Sequence, residues 1–263
     1  MKIAIYQMDV IAGEPEQNRA KVQKWIEATC RTDKPDVVVL PEMWTTNYTL
    51  PTLKEIADRD GEPTTSFLQQ LAKRHQVAII GGSFANIKEG EVYNSAVAIS
   101  RVGDVLYRYD KVHLVPMLDE HLYLKAGTKN HVFEIEGVKA GLIICYDLRF
   151  PELSRQLAVD GAEIIFIVAE WPEARKAHWK HLQIARAIEN QVYIVSSNCV
   201  GHYNGVSYCG TSMMIDPLGE VLDCGSEENE ETLTKGIDVT VVPDIREKVP
   251  VFKSRVPSVY KIH

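Results

Sequence analysis

A chain of 263 residues, 45% hydrophobic and 25% charged, has the composition of a globular protein with a substantial core, in one large domain or two small ones. A formal net charge of −7, with no dense Lys/Arg block, argues against a nucleic-acid surface. No apolar stretch reaches the roughly 18–20 residues of a membrane span, so no membrane partner is expected.

The N-terminus leads directly into a strand over Lys2–Met8, without the charged region and long apolar run of a secretory signal. Pro15 opens a helix on which Val22, Trp25, Ile26 and Thr29 share a face. Val37–Leu40 is a short unbroken apolar run, the pattern of a strand buried on both faces. Phe67, Leu68, Leu71 and Ala72 mark a second amphipathic helix, followed by a strand over Val77–Ile80 that ends at a Gly81-Gly82 break. Strands near Ser95–Ser100 and Val105–Tyr109 are joined by a turn at Gly103-Asp104. Val138–Ile144 is strand-like, Pro151 opens another helix, and Ala162–Val168 is a further buried strand. A helix over about Ala177–Asn190 leads into a strand over Gln191–Ser196, and Pro217-Leu218-Gly219 interrupts Met213–Leu222 as a hairpin turn. No linker or repeat divides the chain. Strands and helices interleave too regularly for an all-β sandwich, so a single α/β or layered α+β domain follows.

Four polar loci stand where apolar strands give way to loop. Glu42, in Leu40-Pro41-Glu42-Met43-Trp44, sits at the mouth of a buried strand. Lost hydration there raises a carboxyl pKa toward a general base's range, whereas an ordinary loop glutamate caps an amide or faces water. Lys111, in Tyr109-Asp110-Lys111-Val112-His113-Leu114, could hold an oxyanion or simply pair with Asp110. Asp119-Glu120-His121 is a third locus or a solvated loop. Cys145 ends the apolar run Gly141–Ile144 and precedes Tyr146-Asp147-Leu148-Arg149-Phe150-Pro151-Glu152. Strand, nucleophile and helix in that order resemble the elbow of α/β-hydrolases without its Gly-x-Ser-x-Gly glycines. A nearby helix N-terminus would favour the thiolate; a cysteine in this position is also, by itself, a small buried hydrophobe. A thiol–imidazole pair with His113 or His178 stays open on spacing alone. Five scattered cysteines, Cys30, Cys145, Cys199, Cys209 and Cys224, suit a reducing cytoplasm better than a disulfide framework, and no CxxC or HExxH spacing suggests a metal.

Together, Leu40-Pro41-Glu42, Tyr109–Leu114, Gly141–Glu152 and Ala185–Gln191 resemble, in order and over essentially the whole of residues 1–263, the motifs of the nitrilase superfamily of carbon–nitrogen hydrolases. The resemblance implies a single-domain, four-layer α-β-β-α sandwich, a homodimer, a small amide and water as reactants, and no cofactor. It implies Glu42 as general base, Lys111 as oxyanion stabiliser and Cys145 as nucleophile, with the Tyr146 N–H as a second oxyanion donor. Glu120, ahead of Gly127, matches the family's second glutamate, which positions the lysine and substrate; its surroundings depart from the commonest family form. Trp44 and Tyr48 on one loop and Trp171 and Arg175 on another are expected to line the pocket. Glu170-Trp171-Pro172, the downstream arginine and His178-Trp179 are similar to the omega-amidase branch, whose bacterial members include enzymes acting on 2-oxoglutaramate in the setting of methionine salvage. Arg175 would then clamp a substrate carboxylate, or else pair with Glu173. The same chemistry would serve a deaminated-glutathione amidase, an N-carbamoyl amino-acid or polyamine hydrolase, or a nitrilase; an idle binding relative is the non-enzyme alternative. Residues from about 245 to 263 resemble family tails that cross a dimer partner, and a loose surface tail is the other reading.

Overall fold

A computed structural model describes residues 1–260 as two β-sheets packed face to face, with helices on their outer sides. Alternation along the strands builds these layers. In the Lys2–Gln7 strand, Ala4 and Tyr6 pack with Val22 and Ile26 of the Pro15–Thr32 helix and Leu68 and Leu71 of the Thr64–His75 helix. Ile3 and Ile5 face the other way, into a cluster shared with Leu142, Phe166 and Val195 of the second sheet. Val38 and its neighbours Val37 and Val39 divide in the same manner, so this strand is buried on both faces. Leu157, Trp179 and Ala187, from the helices Pro151–Val159 and Lys176–Asn190, close the far side. The layer order is helix, sheet, sheet, helix, as the resemblance implies.

The first sheet runs Glu231–Gly236, Lys2–Gln7, Val37–Val39, Ala78–Lys88, Glu91–Ile99, Val105–Asp110, and the short Asp58–Arg59 strand also pairs with Ala78–Lys88. The second runs Val221–Cys224, Met213–Ile215, Tyr193–Asn198, Ile164–Ala169, Val138–Ile144, Phe133–Ile135. The central strands of each sheet are parallel. Ligands of such sheets gather beyond the carboxyl ends of the strands, and Glu42, Cys145 and Glu170 all lie just past those ends.

Most predicted elements are present with slightly shifted ends. The expected strand end at Gly81-Gly82 is corrected. The Ala78–Lys88 strand runs straight through, with a register shift against Glu91–Ile99 between Ile80 and Ser83. The glycines form a bulge: Gly82 has φ +60°, and a Cβ there would meet the Pro41 carbonyl oxygen at 2.1 Å. This close approach seats the Glu42 turn. Ser83 N–H donates to Pro41 O (3.0 Å), Ser83 O accepts from Trp44 N (3.1 Å), and Ser83 Oγ accepts from Met43 N (3.0 Å).

The sequence reading omits the edge strand Glu231–Gly236, which buries only Leu233 and so lacks an apolar pattern. It also omits the Val241–Lys248 helix. Beyond that helix the tail folds back on its own chain. Gln191 Nε2 donates to Val249 O (2.9 Å), and the Phe252 ring lies 5.4 Å from the Arg155 guanidinium and 5.0 Å from that of Arg246. Residues 261–263 of the expected tail lie outside the described residues. Among the described residues, no helix is long and apolar enough to cross a membrane.

Candidate active site

Glu42, Lys111 and Glu120 form a cluster without solvent exposure. Lys111 Nζ donates to Glu42 Oε1 (3.0 Å), to Glu120 Oε1 (2.9 Å) and to the Tyr48 hydroxyl (2.8 Å). Those three bonds use every donor of an ammonium. Glu42 Oε1 also accepts from Tyr48 OH (2.6 Å) and Asn94 Nδ2 (2.8 Å), and its Oε2 accepts from the Glu170 backbone N–H (2.8 Å). Glu120 Oε2 accepts from Val115 N (2.8 Å). Each carboxylate is thus fixed at both oxygens, which is what a buried ionised group needs. The solvated-loop alternative for Glu120 is set aside by its full burial.

Cys145 faces this cluster from the opposite sheet. It follows the Val138–Ile144 strand, opens the 3-10 turn Cys145–Arg149, and has φ +45°, a conformation that costs a non-glycine residue energy. Buried Asp147 holds the turn in place. Its carboxylate accepts from Tyr109 OH (2.7 Å), Ile144 N (3.0 Å) and His113 N (3.0 Å), and it pairs with His113 Nδ1 (2.8 Å). His113 therefore serves Asp147, and its ring stacks on Phe150 at 3.5 Å. His178 is exposed and accepts from Arg149 Nη1 (3.2 Å). The thiol–imidazole alternative is not what the geometry provides.

The electrostatics correct one expectation. Burial, and then the Glu42 carboxylate, push the Cys145 thiol well above its ordinary pKa, with Lys111 opposing. The short turn after the strand does not leave a resting thiolate. For Lys111, burial pulls the ammonium's pKa down, but Glu120 and Glu42 outweigh it and the net shift is upward. The cluster thus holds two carboxylates, one ammonium and a neutral thiol. Passing the thiol proton to Glu42 leaves the cluster's total charge unchanged, so activation inside the buried site needs no net ionisation.

A cavity of about 660 Å³ leads to Cys145. Tyr48, Tyr146, Trp171 and Arg175 line it as expected, and so do Arg149 and Glu170. Trp44 does not, which corrects its assignment as a substrate contact. Met43 has φ +45°, and the chain turns there so that Trp44 Nε1 donates to Gly81 O (2.8 Å) while the ring packs in the helix-side core near Phe67. Arg175 is exposed and forms no ion pair with Glu173 among the described residues. The Arg149 guanidinium lies over Trp171 (4.6 Å) and Tyr146 (5.7 Å), also without a carboxylate partner among them. Among the described residues, no group of three or more His, Cys, Asp or Glu side chains is arranged to hold a metal ion.

Sequence reasoning missed Asn94 as a ligand of Glu42. Asn94 stands just ahead of the expected Ser95–Ser100 strand, between Tyr93 and Ser95, where the sequence pattern does not single it out.

A family model of carbon-nitrogen hydrolases covers residues 2–247. The chain belongs to the carbon–nitrogen hydrolase family. This carbon–nitrogen hydrolase is 44% identical over 250 residues to the 2-oxoglutaramate amidase of Bacillus subtilis (strain 168), with 95% of each chain covered. It is 32% identical over 254 residues to the omega-amidase YafV of Escherichia coli (strain B / BL21-DE3), covering 96% of each. Among solved structures, XC1258 from Xanthomonas campestris, a CN-hydrolase superfamily protein with an arsenic adduct in its active site, matches with a TM-score of 0.90 at 29% identity, over 100% of this chain and 99% of that one.

Proposed function

We propose that this carbon–nitrogen hydrolase cleaves the terminal carboxamide of a small dicarboxylate monoamide of the 2-oxoglutaramate kind, through a thioester on Cys145. The observation that carries this reading is a buried Glu42–Lys111–Glu120 cluster beside Cys145, which itself lines a cavity whose wall holds Arg149 and Arg175, two arginines without carboxylate partners among the described residues. Glu42 takes the thiol proton as Sγ bonds to the amide carbon. The tetrahedral oxyanion is stabilised by the Lys111 charge and the Tyr146 N–H, and the C–N bond breaks as Glu42 returns the proton to departing ammonia. Water then attacks the thioester with Glu42 as base, the C–S bond breaks, and acid leaves as the thiol is restored. Because Lys111 already uses three donors, approach to the oxyanion displaces the bond to neutral Tyr48 at less cost than either carboxylate bond.

Arg149 and Arg175 are the carboxylate acceptors in this reading. A guanidinium matches a carboxylate bidentately and stays charged in a partly apolar wall. A cytoplasmic setting is part of this reading, supported by five cysteines that are all free.

The test is ammonia release from 2-oxoglutaramate, succinamate, glutaramate, an N-carbamoyl acid and a small nitrile. The monoamides should be turned over best, and Arg149→Ala and Arg175→Ala should raise KM more than they lower kcat. Preference for an uncharged amide, with both variants unaffected, would remove the carboxylate from the proposal.

A further inference from the structure

The wall of the cavity contains a buried carboxyl that the scheme above does not use. Glu170 follows the Ile164–Ala169 strand, is 4% exposed, and lines the cavity that leads to Cys145. Its backbone N–H is spent on Glu42 Oε2 (2.8 Å), but both side-chain oxygens are buried without a hydrogen-bond partner among the described residues. The neighbouring Cys199 thiol is near enough to favour the ionised form slightly against burial, but its bonded acceptor is Glu42 O (3.8 Å). A buried polar group in a native structure is nearly always satisfied, and an orphaned one points to a role. Resting on the amide-hydrolase reading, we infer that the Glu170 carboxyl is a specificity-determining residue that accepts a hydrogen bond from the –NH2 of the bound amide.

The position suits that contact. Its backbone N–H bonds Glu42 Oε2, the oxygen opposite the one that Lys111 holds, so Glu170 and Lys111 flank the base from its two sides. With Lys111 serving the oxyanion in this reading, Glu170 is the group left beside the departing nitrogen. Burial, and then the charge of Glu42, push the Glu170 acid well above its ordinary range. A neutral carboxyl offers an acceptor oxygen without repelling a substrate that carries its own carboxylate. An ester of the same acid has no N–H to offer, so it leaves the acceptor oxygen of Glu170 without that bond. Sites built around a hydrogen bond reject analogues that lack it for this reason.

The experiment compares kcat/KM for a primary amide and for the methyl ester of the same acid, in the wild type, Glu170→Gln and Glu170→Leu. The amide is whichever panel member the wild type hydrolyses best, so failure of the 2-oxoglutaramate assignment does not touch this test. Glutamine keeps the shape, the neutral charge and an acceptor oxygen, and should stay within about twofold of wild type on both substrates. Leucine should lose roughly tenfold on the amide, the worth of one buried hydrogen bond, with the ester changed far less. Equal losses on amide and ester, or no loss on either, would overturn the inference. A tenfold loss on the amide in the isosteric Glu170→Gln protein would overturn it independently, whether or not the leucine variant folds.

Discussion

Lys111 sits between two carboxylates, and its removal has two separable consequences. In Lys111→Ala the oxyanion loses a donor, so kcat should fall by about 10²–10³, as for other oxyanion sites. Glu42 and Glu120 would also be left buried without their cation, a change that costs about 3–5 kcal/mol in comparable buried pairs. Steady-state ammonia release and urea unfolding measure the two effects independently. The thiol gives a second prediction. Because burial and Glu42 raise the Cys145 pKa, the rate of alkylation by iodoacetamide in the free protein should still be climbing at about pH 10, where an ordinary thiol of pKa about 8.5 has levelled off. A plateau below neutral pH would mean that a thiolate is already formed at rest. Glu42, Lys111 and Cys145 are legible because each follows a strand-like run within a recognisable motif. Glu120 reads ambiguously in a string of charged residues, since its burial depends on a fold-back onto Lys111 that local pattern does not encode. Trp44 shows the converse: two residues from Glu42 in the chain, it points into a different core because the backbone turns at Met43.

At the level of elements, the Gly81-Gly82 bulge does what a strand terminator was expected to do, but by staying in the sheet. It places Ser83 beneath the turn that carries Glu42. Gly82→Ala introduces a Cβ against the Pro41 carbonyl in a backbone conformation that alanine disfavours. The variant should keep its α/β circular dichroism while kcat drops at least tenfold, because about an ångström of base displacement is enough to produce such a loss. Unchanged kcat would show that the turn holds its shape without the bulge. Glycine pairs announce a break in sequence, yet whether the chain leaves the sheet or bulges within it is set by the neighbouring strand. That is why the long Ala78–Lys88 strand was not foreseen while the buried Val37–Val39 strand was.

On the scale of the whole molecule, the tail keeps apolar residues on the surface. Val249, Val256, Val259 and Tyr260 are exposed although the chain is folded back there. Of these, Val249 and Tyr260 border a hollow lined also by Val112, Phe150 and Leu153. The family resemblance makes a second copy of the chain the expected cover for this face. Sedimentation equilibrium should give close to twice the 29.6 kDa chain mass; a monomer at micromolar concentration would rule that pairing out. The helix–sheet–sheet–helix order carries a consequence of its own. Glu42 and Lys111 leave one sheet, and Cys145 and the Glu170 amide that clasps Glu42 leave the other. The catalyst is therefore a property of the seam, absent from either half. A partly melted chain carries Cys145 as a common thiol with no base beside it, and only the docked halves set Glu42 where it can take the proton, so catalysis is lost as soon as the seam parts.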